Sequence, residues 1–139
     1  RQYNLKVLDL LDAHLVAGGK VYYKDAMDKD NQMKEDNVVG GYSFHNLTHV
    51  EKLFLPLDVT AIGDNGLYGM YQLSYVRLPK TLKVIGNSAF SSCSELSELE
   101  LPEGLTEMGG SVFSGCKKLK SLRIPKSVTT VGDGQFGEL

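Results

Sequence analysis

Two cysteines, Cys93 and Cys116, are the side chains of this sequence that could form a covalent bond, and 23 positions separate them. On neighbouring parallel coils about 4.8 Å apart they could form a disulfide, which needs a Cα separation of about 4.4–6.8 Å. Leu47, Met70 and Leu139 occupy the equivalent position in other repeats, at multiples of 23 residues from the cysteines. A position that accepts leucine and methionine is one that packs in the core, where a free cysteine behaves as a small apolar residue. We therefore predict buried free thiols, with a disulfide as the alternative and a metal as the weakest one.

Histidines and acidic residues suggest metal chemistry only weakly. His45 and His49 are four residues apart, which on a helix could let both bind one metal ion, but no third ligand lies nearby. The run 28–32 is similar to a calcium loop, yet Met33 stands where an EF-hand needs glycine. His14 is alone, and no nucleophilic triad or phosphate loop can be assembled. The sequence therefore predicts no catalytic residue, no metal site and no cofactor, and a protein that is not an enzyme.

The elements that position these residues belong to a repeat of 23 residues. A period in this range predicts a solenoid. Each repeat would contain a strand with alternating inward leucines, a second short extended piece, and a compact turn of about one helical or 3₁₀ turn. We expect proline to end the first strand and glycine to supply a positive φ at the corner after the second. The in-phase columns are Pro56, Pro79, Pro102 and Pro125; Gly63, Gly86, Gly109 and Gly132; and Leu67, Phe90, Phe113 and Phe136.

The boundaries follow from this frame. Residues 1–139 form one solenoid, in which 4–16 is an irregular first repeat, 17–37 an insertion, and 40–139 the regular repeats, the last of them truncated. Residues 4–10 could form a strand or a helix, and the frame favours the strand. Leu5 and Val50 are 45 positions apart, which leaves 22 residues beyond one repeat. We expect the insertion to be a short helix or mobile, and the chain to be a piece of a longer protein.

Two segments carry a family pattern: residues 119–132, which read LKSLRIPKSVTTVG, and residues 84–93, which read VIGNSAFSSC. They resemble the short leucine-rich repeats of BspA-like bacterial surface proteins. The resemblance implies an α/β fold: a right-handed leucine-rich-repeat solenoid with a parallel strand ladder, short convex strands and single helical turns. It also implies a secreted or surface-exposed binding protein, with adhesion to host or matrix proteins as the expected role. The asparagine ladder of longer leucine-rich repeats is missing, because Asp58, Thr81, Gly104 and Ser127 occupy the nearest positions.

The outward positions of the first strands are the candidate binding residues. Aromatic residues and arginine are enriched at interfaces, and solenoids bind through extended surfaces, so we predict a protein-binding face here. The alternative is a solvated ladder of alternating charge that helps strand register, since Arg77, Glu100 and Arg123 form one column. The candidates, which we call the strand face, are Lys52, Phe54, Tyr75, Arg77, Glu98, Glu100, Ser121 and Arg123, with Val7 and Asp9 in the first repeat.

Charge and composition limit the partners. The formal net charge is −2 and the pI is about 5.9, which argues against a nucleic-acid partner. No apolar run approaches the ~20 residues of a membrane span. We expect an extracellular or cell-surface protein that binds an extracellular or host protein, or a glycan. A structural spacer is the alternative, because the C-terminal coil lacks a polar cap and could self-associate.

Overall fold

The computed structural model describes residues 5–13, 37–44 and 47–136, together with the backbone of 23–24 and 30–31. The architecture is a parallel β-solenoid in which strands recur at 23-residue intervals. The strands are β1 (Val7–Asp9), β2 (Tyr23–Lys24), β3 (Asp30–Asn31), β4 (Val38–Val39), β5 (Lys52–Phe54), β6 (Ala61–Ile62), β7 (Tyr75–Arg77), β8 (Val84–Ile85), β9 (Glu107–Met108) and β10 (Thr130–Val131).

The first ladder carries the strand face and has the order β1, β5, β7, with all strands parallel. This confirms the strand predicted in residues 4–10. The ladder ends early, because only a single bridge, from Tyr75 to Glu98, continues it, and no strand is described at 98–100 or 121–123. The strands expected there are therefore a wrong prediction. Glutamate has low strand propensity, whereas β5 and β7 are joined by an aromatic cross-strand pair, which accounts for the difference.

The second ladder is longer and has the order β4, β6, β8, β9, β10, again parallel throughout. Its inward residues, Val39, Ile62, Ile85 and Met108, are paired in register and are at most 2% exposed. These apolar side chains meet those of the first ladder, so the core runs as one column along the solenoid.

The extra residues of the first repeat lie between the two ladders. Leu8 pairs with Leu53, 45 positions later, whereas Val39 pairs with Ile62, only 23 positions later. The 22 additional residues must therefore enter between β1 and β4, at the corner that holds proline in later repeats. Within that stretch β2 and β3 pair as antiparallel strands. Most of the insertion predicted at 17–37 lies outside the described residues, and so do the alternatives of a short helix or a mobile segment.

Hydrogen-bonded turns occupy the place where a helical turn was predicted. No helix is present among the residues that the structure describes, so the helical part of the expected α/β fold is not confirmed. The backbone N–H of Phe90 donates to Val112 O in the next coil at 3.0 Å, and that of Ser92 to Ser114 O at 2.7 Å. Ser88 and Ser92 have φ of 56° and 64°, values that a right-handed helix excludes. The N–H groups of Phe90 and Ser92 therefore bond between coils instead of within a helix.

A side-chain ladder reinforces these turns. The N–H of Asn87 donates to Asp64 Oδ1 at 2.7 Å, and the N–H of Gly110 donates to Asn87 Oδ1 at 2.7 Å. Each side chain thus accepts from the backbone residue 23 positions later. At the position where the longer repeats have asparagine, Thr81 donates to Val59 O at 2.6 Å.

The glycine column serves close packing of coils. A positive φ was expected at Gly63, Gly86, Gly109 and Gly132, but none of them has one. A Cβ on Gly109 would instead lie 2.5 Å from the backbone N of Asn87 and 2.7 Å from Gly86 C. Real Cβ atoms do not approach backbone so closely, so glycine is needed because the neighbouring coil fills the space.

The aromatic column stacks along the solenoid. Phe90 and Phe113 are 0% and 1% exposed, and their ring centroids lie 5.8 Å apart with the planes 13° from parallel. Phe136 continues the stack at 5.9 Å from Phe113 but is 46% exposed. One side of the core is thus closed by rings in contact, an arrangement that adds to the apolar burial itself.

Replacing a central ring should cost much more stability than replacing the last one. We expect Phe113→Ala to lower the free energy of unfolding by about 3–5 kcal/mol, because the ring is fully buried. Phe136→Ala is the matched control and should cost roughly half of that or less, because nearly half of the surface of this residue is exposed. Urea unfolding followed by circular dichroism measures both values. Equal losses would contradict the stacked core.

Candidate functional site

The strand face is built by the alternation of β5 and β7. Leu53 and Val76 point into the core at 0% and 2% exposure, so the residues on either side of them point outward. The Phe54 and Tyr75 rings lie 5.7 Å apart at 56°, and both are half-buried. The two aromatic rings therefore form a fixed apolar surface that remains open to a partner.

A pocket of about 420 Å³ adjoins this aromatic pair, at the point where the first ladder ends. It brings together four predicted residues from three repeats. Six further residues come from the corners that follow the first strands. The predicted members are Tyr75, Arg77, Glu100 and Arg123, and the others are Leu78, Lys80, Leu101, Pro102, Glu103 and Gly104. Lys52, Phe54, Glu98 and Ser121 lie outside its lining.

Charges in the pocket pair differently from the predicted column. Arg123 Nη1 donates to Glu103 Oε1 at 2.5 Å. This hydrogen bond, and secondarily the nearby charges of Glu103 and Glu100, raise the pKa of Arg123. Arg123 thus takes its hydrogen-bonded partner from the proline corner, 20 positions earlier, and not from the strand column at 23. Because both side chains are largely exposed, the pair fixes orientation more than it adds stability.

Arg77 has no hydrogen-bonded ion pair of this kind among the described residues. Its Nη1 is buried and makes no hydrogen bond within the described residues. No ion pair of Arg77 or Lys80 is found there either. The guanidinium of Arg77 thus lines the pocket without an ion pair among the described residues.

Sequence reasoning missed the corner residues of the pocket. It followed columns at a spacing of 23, and these do not join Glu103 to Arg123. Lys80 and Glu103 each come directly after a proline, a position that could have been followed as a column of its own. The distance of Lys80 and Glu103 from the strand face depends on the path of the backbone after the proline. The spacing of the repeats does not determine that path.

The cysteines are free and buried, as predicted. Cys93 Sγ donates to Leu67 O at 3.2 Å, and Cys116 Sγ donates to Phe90 O at 3.1 Å. Burial is the main cause that raises the pKa of both thiols, strongly for Cys93 and to about 11 for Cys116. Such thiols are structural groups, because thiolates are the reactive form.

The histidines and the run 28–32 lie only partly within the described residues. His49 is exposed, while His14 and His45 lie outside the described residues, as do most residues of the run 28–32. Within the described part of the chain, no three His, Cys, Asp or Glu side chains are grouped to hold a metal ion. No helix there has the length and apolar character to cross a bilayer.

Comparison with known proteins matches the repeat pattern to a family. The profile of the BspA type leucine rich repeat region matches residues 20–139 in six copies. No curated protein matches the chain.

Solved structures share the fold. A leucine-rich repeat protein from Bacteroides ovatus ATCC 8483 has a TM-score of 0.70 and 26% identity, over 91% of this chain and 33% of its own. A leucine rich cell surface protein from Faecalibacterium prausnitzii A2-165 has a TM-score of 0.65 and 29% identity, over 87% and 32%. The T. pallidum Leucine Rich Repeat protein has a TM-score of 0.57 and 31% identity, over 59% and 41%. The chain thus spans less than half the length of each.

The thiols should be unreactive while the chain is folded. We expect a disulfide-exchange reagent at pH 8 to label Cys93 and Cys116 slowly in buffer and rapidly in urea, because the folded state disfavours both thiolates. Because the pKa of Cys116 is about 11 in the folded chain and 9.0 ordinarily, the unfolded chain loses this proton first as pH rises. The free energy of unfolding should therefore decline between pH 9.0 and about 11, and these thiols should not change it at lower pH. The Cys93→Ala/Cys116→Ala variant should lose that part of the decline. Rapid labelling of the native chain would contradict the buried positions.

Proposed function

Because the chain belongs to the BspA-type leucine-rich repeat family, we propose that it is a protein-binding module that uses the strand face. Leucine-rich repeats are commonly used for protein–protein interaction, and repeats of this kind typically bind or support other proteins instead of catalysing reactions. The observation that carries the proposal is the half-buried pair Phe54 and Tyr75, held in contact beside an open pocket.

The aromatic pair has the properties of an interface anchor. Each ring is fixed by its strand and by the other ring, so little conformational freedom is lost when a partner covers it. Arginine and tyrosine are also the residues that most often dominate binding energy. Arg77 and Tyr75 lie on one strand and both line the pocket, which makes β7 the centre of the proposed surface.

The corner between the ladders extends this surface. The insertion of the first repeat enters between β1 and β4, the same kind of corner that supplies Lys80 and Glu103 to the pocket. A partner on the strand face would therefore pass the exit point of the insertion. We propose the insertion as a second contact region.

A surface or extracellular location with an adhesion-type role completes the proposal. It is supported by the resemblance to a structure described as a leucine rich cell surface protein. The partner class is an extracellular or host protein, and a glycan is the alternative ligand.

A role as a spacer or assembly element is the second candidate. Three apolar side chains of the last described coil, Ile124, Val131 and Phe136, are 46%, 50% and 46% exposed. The open edge of β10 adjoins them. Another coil or another copy of the chain placed there would continue both the ladder and the aromatic stack.

Truncation of Tyr75 should abolish most of the binding. We expect Tyr75→Ala to weaken the affinity for partners captured from a panel of extracellular matrix and host surface proteins by about 30-fold, the value of a ~2 kcal/mol anchor. Biolayer interferometry with the purified chain measures the change. Tyr71→Ala is the matched control, since Tyr71 is 53% exposed but belongs to the turn region. Equal affinity of Tyr75→Ala and the native chain would refute the strand face.

Charge at the last coil should control self-association. If the open edge of β10 joins two copies of the chain, the native protein should form dimers at high concentration. The double variant Ile124→Lys/Val131→Lys should then be monomeric. Multi-angle light scattering distinguishes these states, with Lys126→Glu as a surface control on the same coil. A native chain that is monomeric at all concentrations would remove the assembly role for copies of this chain.

A further inference from the structure

We propose that the pocket at the end of the first ladder receives an acidic side chain, a glutamate or aspartate of the bound protein, with Arg77 as its main contact. This inference rests on the proposed function and names the chemistry that the strand face would recognise. It begins with the guanidinium of Arg77, which lines the pocket and has no ion-pair partner among the described residues. A carboxylate ligand is the group that would pair with it.

The charges of the pocket favour an anion. Three cationic side chains line it, against two carboxylates. Glu103 is already bonded to Arg123, and the other carboxylate, Glu100, also acts on Arg123. Arg77 and Lys80 therefore remain as cationic groups without an ion-pair partner among the described residues. An incoming carboxylate meets an excess of positive charge at that side of the pocket.

The geometry of arginine fits a carboxylate in particular. A guanidinium presents parallel N–H donors that match the two oxygens of a carboxylate, and such charge-assisted bonds are stronger than neutral ones. Lys80, which is exposed at the rim, adds a compact charge without directional demands. Arg77 and Lys80 can thus hold a carboxylate together and still accept either glutamate or aspartate.

The surroundings of the pocket favour a peptide over an acidic sugar. Leu78, Leu101 and Pro102 contribute apolar lining, which suits the neighbouring side chains of a polypeptide.

Small probes test the pocket without knowledge of the partner. The ¹⁵N-labelled chain is titrated with N-acetylglutamate N-methylamide, with the glutamine analogue, and with methyl glucuronide as the acidic sugar. We expect saturable shifts of Arg77 Nε–H and of the Leu101 and Gly104 amides with the glutamate probe. The glutamine analogue should bind at least 10-fold more weakly, because it lacks the charge. Equal binding of the glutamate and glutamine probes, or tighter binding of methyl glucuronide, would overturn the proposal.

Matched variants separate the pocket from the general charge of the face. Arg77→Gln should weaken the glutamate probe at least 10-fold, whereas Lys52→Gln removes the same charge from the strand face outside the pocket and should have no effect. Equal losses in both variants would refute the pocket and yet leave the proposed function standing, since that depends on Tyr75.

Stability supplies a readout that does not need a ligand. Because Nη1 of Arg77 makes no hydrogen bond within the described residues, Arg77→Gln should leave the thermal midpoint within about 2 °C of the native value, or raise it. A fall of more than about 5 °C would show that Arg77 supports the fold, and the site would then be wrong.

Discussion

The backbone hydrogen bond between neighbouring coils is the interaction on which the whole structure depends. Within one coil these bonds alternate in direction: Gly86 N donates back to Ile62 O, while Ser88 N donates forward to Gly110 O. Many main-chain groups at the second ladder and at the turns are thereby satisfied by the adjacent coil, without helices in the described chain. The inward apolar side chains fill the column between the ladders.

This constraint explains which features the sequence can predict. The spacing of prolines, glycines and phenylalanines gives the 23-residue coil, because every coil must present the same groups to its neighbour. The strand at β1, the buried cysteines and the outward residues of β5 and β7 follow from that phase. The absence of the asparagine ladder of the longer repeats can be read from the sequence, whereas the different ladder that Asp64 and Asn87 form beside the glycine column cannot.

What the sequence does not predict depends on local approach and on departures from the period. Ser88 and Ser92 adopt a positive φ, which is uncommon for serine. The sequence alone therefore favours a helical turn at these residues. Gly109 is required by the backbone of the adjacent coil and not by its own φ. The pocket arises where the first ladder fails to continue, and its pairing of Arg123 with Glu103 crosses the repeat frame. Candidate functional positions therefore concentrate where the repeat is imperfect. This is expected, because proteins depart from locally consistent structure mainly at functional sites.

The entry point of the insertion has a consequence for how such solenoids diversify. Leu8 and Leu53 remain paired although 22 residues are added between β1 and β4, so the corner accommodates new chain without disturbing the ladders on either side. The cost of a longer closed loop rises only slowly with its length. Equivalent corners at Pro56, Pro79 and Pro102 offer the same freedom, which makes this edge a natural location for grafting foreign segments onto an otherwise unchanged scaffold.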